Sequence, residues 1–456
     1  MAEEYDLIAI GSGQAAGPLC SAFVAAGRRA LLVEREHVGG TCINEGCSPT
    51  KTMIASGRVA YLTRRAAGYG VQTGPIGVDM RRVRERKRAI VDSFREGSQR
   101  HIVEGGTKLV FGTASFTGQK LVRVALNDGG SFEATAPAIV IDTGARPRPL
   151  SLPGASAVPV LDSTSIMELD AVPKHLIVAG GGYIGVEFGQ LFRRLGSRVT
   201  IVQRSARLLG REDPDVADEV RKILVEDGIE VLLSTSMISL ASSGSGVALT
   251  VSGGRVIEGS HLLNATGRTP NTEALQLEAA GVATNERGEI PVNDRLETNV
   301  AGIYAVGDVN GGPAFTHISY DDFRILRGNL LHGEQLSTRD RLVPYVVYMD
   351  PELGRVGLTE SAARSSGRNI RVASMPMSAV ARALETDEPR GLMKAVVDAD
   401  TGQLLGCAIL GLNGGEMMSL FEVAMMGKLP YTALQEGIFA HPTLAEGFNN
   451  LFDRLS

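Results

Sequence analysis

The 456-residue chain is too long for a single core and calls for about two to four domains. With 43% hydrophobic residues and a net charge of −5, it has the make-up of an ordinary globular protein, and its charge gives no reason to expect nucleic acid or a membrane surface as partner. Four cysteines are too few for a secreted disulfide scaffold, and the opening MAEEYDLIAIG has neither a basic leader nor a long apolar span, so the expectation is a cytoplasmic protein.

The first pattern is strand, glycine turn, helix, strand. An apolar run from Leu7 to Ile10 meets Gly11 and Gly13, a helix of small residues runs towards Gly27, and a second apolar run ends at Glu34. Glycines at such a turn let a pyrophosphate approach the helix N-terminus. The third position of the fingerprint is Ala16, small enough for close helix packing. Glu34 follows Gly11 by 23 residues, where a carboxylate can accept from the ribose hydroxyls of an unphosphorylated dinucleotide such as FAD.

Residues 39–51 read GGTCINEGCSPTK. A zinc site would need more ligands than Cys42, Cys47 and a lone His37, so no metal site is expected. A structural staple would be unusual in a reduced cytoplasm. A redox-active pair beside the flavin fits better, and the cysteines should start a helix whose dipole favours a thiolate. Further on, RRVRERKR at 81–88 reads as a solvated helix face. Residues 107–147 alternate as hairpin strands around an Asn-Asp-Gly-Gly turn.

The strand–turn–helix–strand order returns at HLIVAGGGYIGVEFGQLFRRLGSRVTIVQR, with Gly180, Gly182 and Gly185 in the turn. Twenty-three residues after Gly180 stands Gln203, uncharged and followed by Arg204 and Arg207. Arginines without a carboxylate suit a ribose 2′-phosphate, so NADP(H) is favoured here and NAD(H) is possible. LLNATGRTPN and GIYAVGDVNGG come next, and beyond about residue 340 strands and helices alternate without a glycine fingerprint. Cys20 and Cys407 read as core residues. The expected division is 1–148 for the FAD domain with the cysteine pair, 149–265 for the nicotinamide domain, 266–339 for the returning FAD/central part, and 340–456 for an α+β domain.

GGTCINEGCSPTK resembles the active-site segment of the flavoprotein disulfide reductases, the family of glutathione reductase, dihydrolipoyl dehydrogenase and mercuric reductase. Ser48 and Thr50 depart mildly from the family pattern, while the first cradle, ATGRTPN, YAVGDV and the C-terminal AHPTLAEGFNNLF carry the likeness along nearly the whole chain. The resemblance implies an α/β fold with two doubly wound, Rossmann-like dinucleotide-binding domains and a C-terminal α+β dimerisation domain. It also implies an NAD(P)H-dependent enzyme that passes electrons through FAD to the Cys42–Cys47 disulfide and on to a small-molecule or protein-bound disulfide or dithiol.

By the same resemblance, Cys47 is the sulfur facing the flavin and Cys42 the interchange thiol. Lys51 pairs with Glu187 near the flavin, Tyr183 gates the nicotinamide pocket, and Asp308 holds the ribityl chain. Gly40, Thr41, Thr143, Gly144, Gly267 and Thr316 line the cofactor. His441, oriented by Glu446, is the acid–base and reaches the partner subunit's cysteines in a homodimer. His317 packs near the flavin. SARLLGREDPD resembles the mercuric reductases, but the FDRLS terminus lacks their paired cysteines, and Gln203 departs from the usual acid of dihydrolipoyl dehydrogenases. FTHISYDDFRILRGNLL and VPYVVYMDPELGRVGLTE look closest to a mercuric-reductase-like branch that includes the reactive-chlorine-resistance flavoprotein, for which copper reduction has been proposed. Lipoamide, Hg(II) and Cu(II) therefore stand as alternative acceptors.

Overall fold

The computed structural model describes residues 1–455. It divides into two compact units, one of residues 1–52, 82–148 and 267–341, the other of 53–81, 149–266 and 342–456. The first boundary falls inside a single helix, Cys47–Arg65.

The first unit is built on an eight-stranded sheet. Its parallel centre places Leu7–Ile10 between Ala30–Glu34 and Ala138–Ile141, with Ile303–Ala305 beyond the latter. Leu7–Ile10 and Ala138–Ile141 are buried at every position, as expected of strands covered on both faces. Lys108–Gly118 runs parallel to Ala30–Glu34 over its first residues and antiparallel to Leu121–Leu126 over the rest. The hairpin to Ser131–Thr135 turns at Asn127–Gly130 as the glycines require, with Gly129 and Gly130 at φ +102° and +83°. Ala16–Ala25 packs on one face through Leu19, Cys20 and Phe23. The strand Ile303–Ala305 returns residues 267–341 to this sheet.

The second unit contains a parallel sheet ordered Glu230–Leu232, Arg198–Val202, His175–Ala179, His261–Asn264, Val160–Leu161. Tyr183–Leu195 follows its central strand with a nearly buried inner face. A five-stranded antiparallel sheet, centred on Leu404–Gly411, carries the helix Gly414–Met426 against it through Met417, Met418 and Phe421. This antiparallel sheet and its helix form the expected α+β region. Cys407 lies in its core, as Cys20 does in the first.

Residues 81–88 sit in the helix Met80–Glu104. Arg81, Arg82, Arg86 and Arg88 are exposed, but Lys87 is buried, so the face is less uniformly solvated than its charge pattern suggests. No helix among the described residues is long and apolar enough to cross a membrane.

Candidate active site

In the first unit the chain turns at Gly11, whose φ of +90° suits only glycine, and a Cβ there would strike the Asp142 carbonyl. Glu34 ends its strand under this turn. Its Oε2 accepts from the Ser12 N–H at 3.1 Å and from the Ser12 hydroxyl at 2.5 Å, which fixes a carboxylate at the strand end beneath the turn. Gly40 closes on the same turn, since its Cβ would lie 2.9 Å from the Gly13 Cα. Thr143 and Gly144 follow the strand Ala138–Ile141. The Thr143 hydroxyl donates to the Asn271 carbonyl at 2.8 Å, and Arg148 N–H donates to the Gly267 carbonyl at 3.0 Å, so ATGRTPN is laced to the segment after that strand. A Cβ on Gly144 would meet the Thr41 hydroxyl at 3.9 Å. Asp308 lies in the turn Gly307–Asn310; burial raises its carboxyl above the usual range, against the opposing pull of Arg268 at 4.0 Å. Glycine turn, strand-end carboxylate and a half-buried acid for hydroxyls fit an unphosphorylated flavin dinucleotide.

The two cysteines occupy separate helical pieces. Cys42 lies within Gly40–Asn44, and Cys47 is the first residue of the 19-residue helix Cys47–Arg65. The expected single helix start is thus broken at Glu45–Gly46, where a Cβ on Gly46 would press on the Thr41 carbonyl at 2.9 Å. Both sulfurs are thiols. The hydrogen bond to Cys47, then burial, push the Cys42 thiol far above its ordinary value. The Cys47 sulfur is 3.4 Å from the Thr316 hydroxyl and stands at a helix N-terminus, the better place for negative charge. Lys51 is one turn further along the same helix. His317 stacks on Phe315, ring centres 5.6 Å apart.

In the second unit Gly180 turns at φ +110°, and nothing lies within 4 Å of where a Gly182 Cβ would project, leaving the cradle open above the helix Tyr183–Leu195. A Cβ on Gly185 would strike the Gly180 carbonyl, so this glycine serves close packing of helix on turn. Gln203 directly follows the strand Arg198–Val202. Its Oε1 accepts from Gly181 N–H at 3.1 Å, as Glu34 accepts from Ser12, and its amide donates to the Ser205 hydroxyl at 2.5 Å. Arg204 and Arg207 are exposed, and no carboxylate pairs with either among the described residues. Tyr183 opens the helix and is 41% exposed, while Glu187 is buried and its Oε1 accepts from Tyr348 N–H at 2.9 Å.

His441 and Glu446 lie together in the same unit. The His441 Nδ1 is 2.9 Å from Glu446 Oε2, which leaves Nε2 facing outward on a largely exposed ring. The described residues contain no cluster of three or more metal-ligating side chains.

Two features escaped the sequence reading. Asp142, buried beneath the first cradle, accepts from the Ala15 and Ala16 N–H groups at 3.2 and 2.9 Å. Its only signal is an acid where a buried strand ends. In the second unit, Arg355 is 2% exposed and sits 3.2 Å from Glu212 and 3.5 Å from Asp213, while Lys394 reaches Asp215 and Glu360 at 2.8 Å. These pairs tie the segment that follows Gln203 to the antiparallel sheet, and no local pattern announces them.

Residues 5–322 match the family model described as pyridine nucleotide-disulphide oxidoreductase, and residues 343–452 match the dimerisation domain of the same family. The chain is 37% identical to the Escherichia coli K12 protein named "Probable pyridine nucleotide-disulfide oxidoreductase RclA", over 98% of this chain and 99% of that one. It is 36% identical to mercuric reductase of Lysinibacillus sphaericus, covering 98% of this chain and 81% of the relative. A solved structure titled as the Cu(II) complex of the HOCl-induced flavoprotein disulfide reductase RclA from Escherichia coli superposes with a TM-score of 0.91 at 37% identity, over 99% of both chains.

Proposed function

The chain belongs to the pyridine nucleotide-disulphide oxidoreductase family, and on that premise we propose how its residues divide the work. It is an FAD-dependent oxidoreductase that draws electrons from a nicotinamide cofactor. Bound FAD supplies the two-electron relay between the nicotinamide hydride and sulfur. Everything else is done by the chain.

Gly11, Gly13, Ala16 and Glu34 hold the adenosine end of FAD, with Gly40, Thr41, Thr143, Gly144, Gly267, Asp308 and Thr316 along the rest. Gly180, Gly182, Gly185 and Gln203 hold the nicotinamide cofactor, with Tyr183 at its entrance. Lys51 is the cation assigned to the flavin, and Glu187 is the buried acid of the helix that follows the second cradle. Cys47 is the sulfur that carries charge beside the flavin, and Cys42 is the interchange thiol. The observation that carries this order is position: the Cys47 sulfur heads the long helix 3.4 Å from the Thr316 hydroxyl, while Cys42 lies in the short helical piece before it.

In the reductive direction His441 takes the Cys42 proton, the resulting thiolate attacks one sulfur of a substrate disulfide, and the other sulfur leaves as thiolate. Cys47 then attacks Cys42, closing the Cys42–Cys47 bond and releasing the second substrate thiolate. His441 hands protons to the leaving thiolates, and Glu446 fixes its tautomer and steadies the imidazolium. Two electrons from NAD(P)H reopen the pair. A small or protein-bound disulfide or dithiol is the acceptor class.

A second reading, a metal ion as electron acceptor, draws on the names of the relatives: a mercuric reductase, and RclA in complex with Cu(II). NADPH is the preferred donor, supported by the unpaired Arg204 and Arg207. The working form is a homodimer, supported by the apolar stripe of Leu420, Val423 and Met426 on the outward side of Gly414–Met426, each 47–61% exposed. Thiols that must reopen at every turnover suit the reducing cytoplasm, the location we assign.

The test is spectroscopic, followed by an acceptor panel. Two-electron reduction should give long-wavelength charge-transfer absorbance, lost in Cys47→Ser and present without reductant in Cys42→Ser. A band that survives Cys47→Ser reverses the two sulfur roles. Lipoamide, glutathione disulfide, Hg(II), Cu(II) and quinones, each with NADH and NADPH, then rank the acceptors.

A further inference from the structure

Beneath the first glycine turn lies an acid that the reaction does not use. Asp142 follows the strand Ala138–Ile141 and is 5% exposed. Its own N–H donates to the Ile10 carbonyl at 2.8 Å, which locks its backbone to the neighbouring strand. Both contacts to the helix Ala16–Ala25 go to one oxygen, Oδ2. The other, Oδ1, takes neither of them. It lies 2.5 Å from where a Gly13 Cβ would be and 3.3 Å from where a Gly307 Cβ would be. The carboxyl therefore spans the gap between the pyrophosphate cradle and the turn that bears Asp308. Any side chain at position 13 would displace it.

Charge makes the placement unusual. Asp308 and Asp322 both lie near enough to add negative charge at Asp142, and the buried Cys20 thiol feels the charge of Asp142. Asp322 is neutralised by Arg341 at 2.5 Å and by the Gly307 N–H at 2.9 Å. Asp308 has Arg268. Asp142 has no cation within ion-pair distance among the described residues, and a dinucleotide pyrophosphate would add negative charge at the same helix end. A buried carboxylate so placed would be costly, whereas a carboxylic acid would not. Burial does hold this carboxyl well above its usual range, against the two N–H donors.

We propose that Asp142 is a positioning residue for FAD: one carboxyl oxygen caps the Ala16–Ala25 helix, and the other, as a hydroxyl, donates to an oxygen of the pyrophosphate–ribityl stretch. This rests on the FAD assignment above. It makes the cradle of this chain a donor surface built partly from an acid rather than from backbone alone.

Two substitutions separate this role from simple helix capping. Asp142→Asn keeps an acceptor for the Ala15 and Ala16 N–H groups and a donor on the other arm. Asp142→Ser keeps a capping oxygen but lacks the second group. FAD dissociation from holoenzyme, read by flavin fluorescence on dilution, should be within about threefold of wild type for Asp142→Asn and weaker by about tenfold or more for Asp142→Ser. The infrared difference spectrum of wild-type minus Asp142→Asn holoenzyme at neutral pH should contain the C=O stretch of a protonated carboxylic acid. If Asp142→Ser binds FAD as tightly as wild type, or the acid band is absent, the proposal is overturned while the FAD reading stands. A wild-type protein that binds no FAD overturns both.

Discussion

Replacing Gln203 by Glu should invert the choice of nicotinamide cofactor. In the structure Gln203 holds the Gly181 N–H through Oε1, and a glutamate can keep that bond, so the turn itself should survive. What changes is a unit of negative charge beside the site assigned to the 2′-phosphate. Gln203 is partly exposed, so solvent-side screening applies: two unit charges ~5 Å apart at an effective dielectric of ~40–80 repel by ~0.8–1.7 kcal/mol. A 2′-phosphate near its second ionisation doubles this to ~1.5–3 kcal/mol, or ~10- to 150-fold in affinity. NADH lacks the phosphate and gains a charged acceptor for its ribose hydroxyls, as FAD has in Glu34. The assay is kcat/KM for both cofactors with one fixed acceptor, in wild type and Gln203→Glu. Wild type should prefer NADPH, and the variant should lose NADPH by that factor while NADH holds or improves. An unchanged ratio would falsify the reasoning, because no other step separates the two cofactors.

Mixing inactive Cys42→Ser and His441→Ala subunits under proven exchange should restore part of the disulfide-reductase activity, since each heterodimer then holds one intact site; no recovery, or a fully active monomer, would rule out a shared site. Asp213 should contribute acid-sensitive stability. Burial pushes its carboxyl up, but the Ser361 and Glu360 N–H groups, the Ser361 hydroxyl and Lys394 more than offset this and hold it at about 2. A depressed carboxyl stabilises fully above its ordinary value of 3.8 and loses that contribution as pH falls towards 2. Allowing for solvent screening, the contribution is on the order of 1–2 kcal/mol. Thermal unfolding of wild type and Asp213→Asn should therefore converge from about pH 5 down to about pH 2, and parallel curves over that range would sink the claim.

Much of this protein is written locally. The two glycine turns were legible because each packs strand, turn and helix into about thirty residues, and the demands on Gly11 and Gly180 are met by glycine alone. Glu34 and Gln203 were legible for the same reason: a fixed offset from the turn places both at a strand end, where each takes the N–H of the residue after the first glycine. The cysteine pair was visible as a pair, and the Asn127–Gly130 turn as a turn.

What stands beside each sulfur was decided only by folding. Thr316, 269 residues away, and the break at Gly46 set the environment of the two sulfurs. Asp142 is the sharper case. In sequence it is an acid between an apolar run and Thr-Gly, inside a stretch that reads as hairpin strands. Tertiary structure carries it under a helix that begins 126 residues earlier, beside two other acids and no cation. Arg355 looks like a polar interruption in a strand until Glu212 and Asp213, more than 140 positions before it, close around its side chain. Backbone requirements such as positive φ or helix packing act over a few residues and so leave their mark in short motifs. The charge state of a buried group depends on dielectric and on partners brought from far along the chain, and no short stretch of sequence contains those.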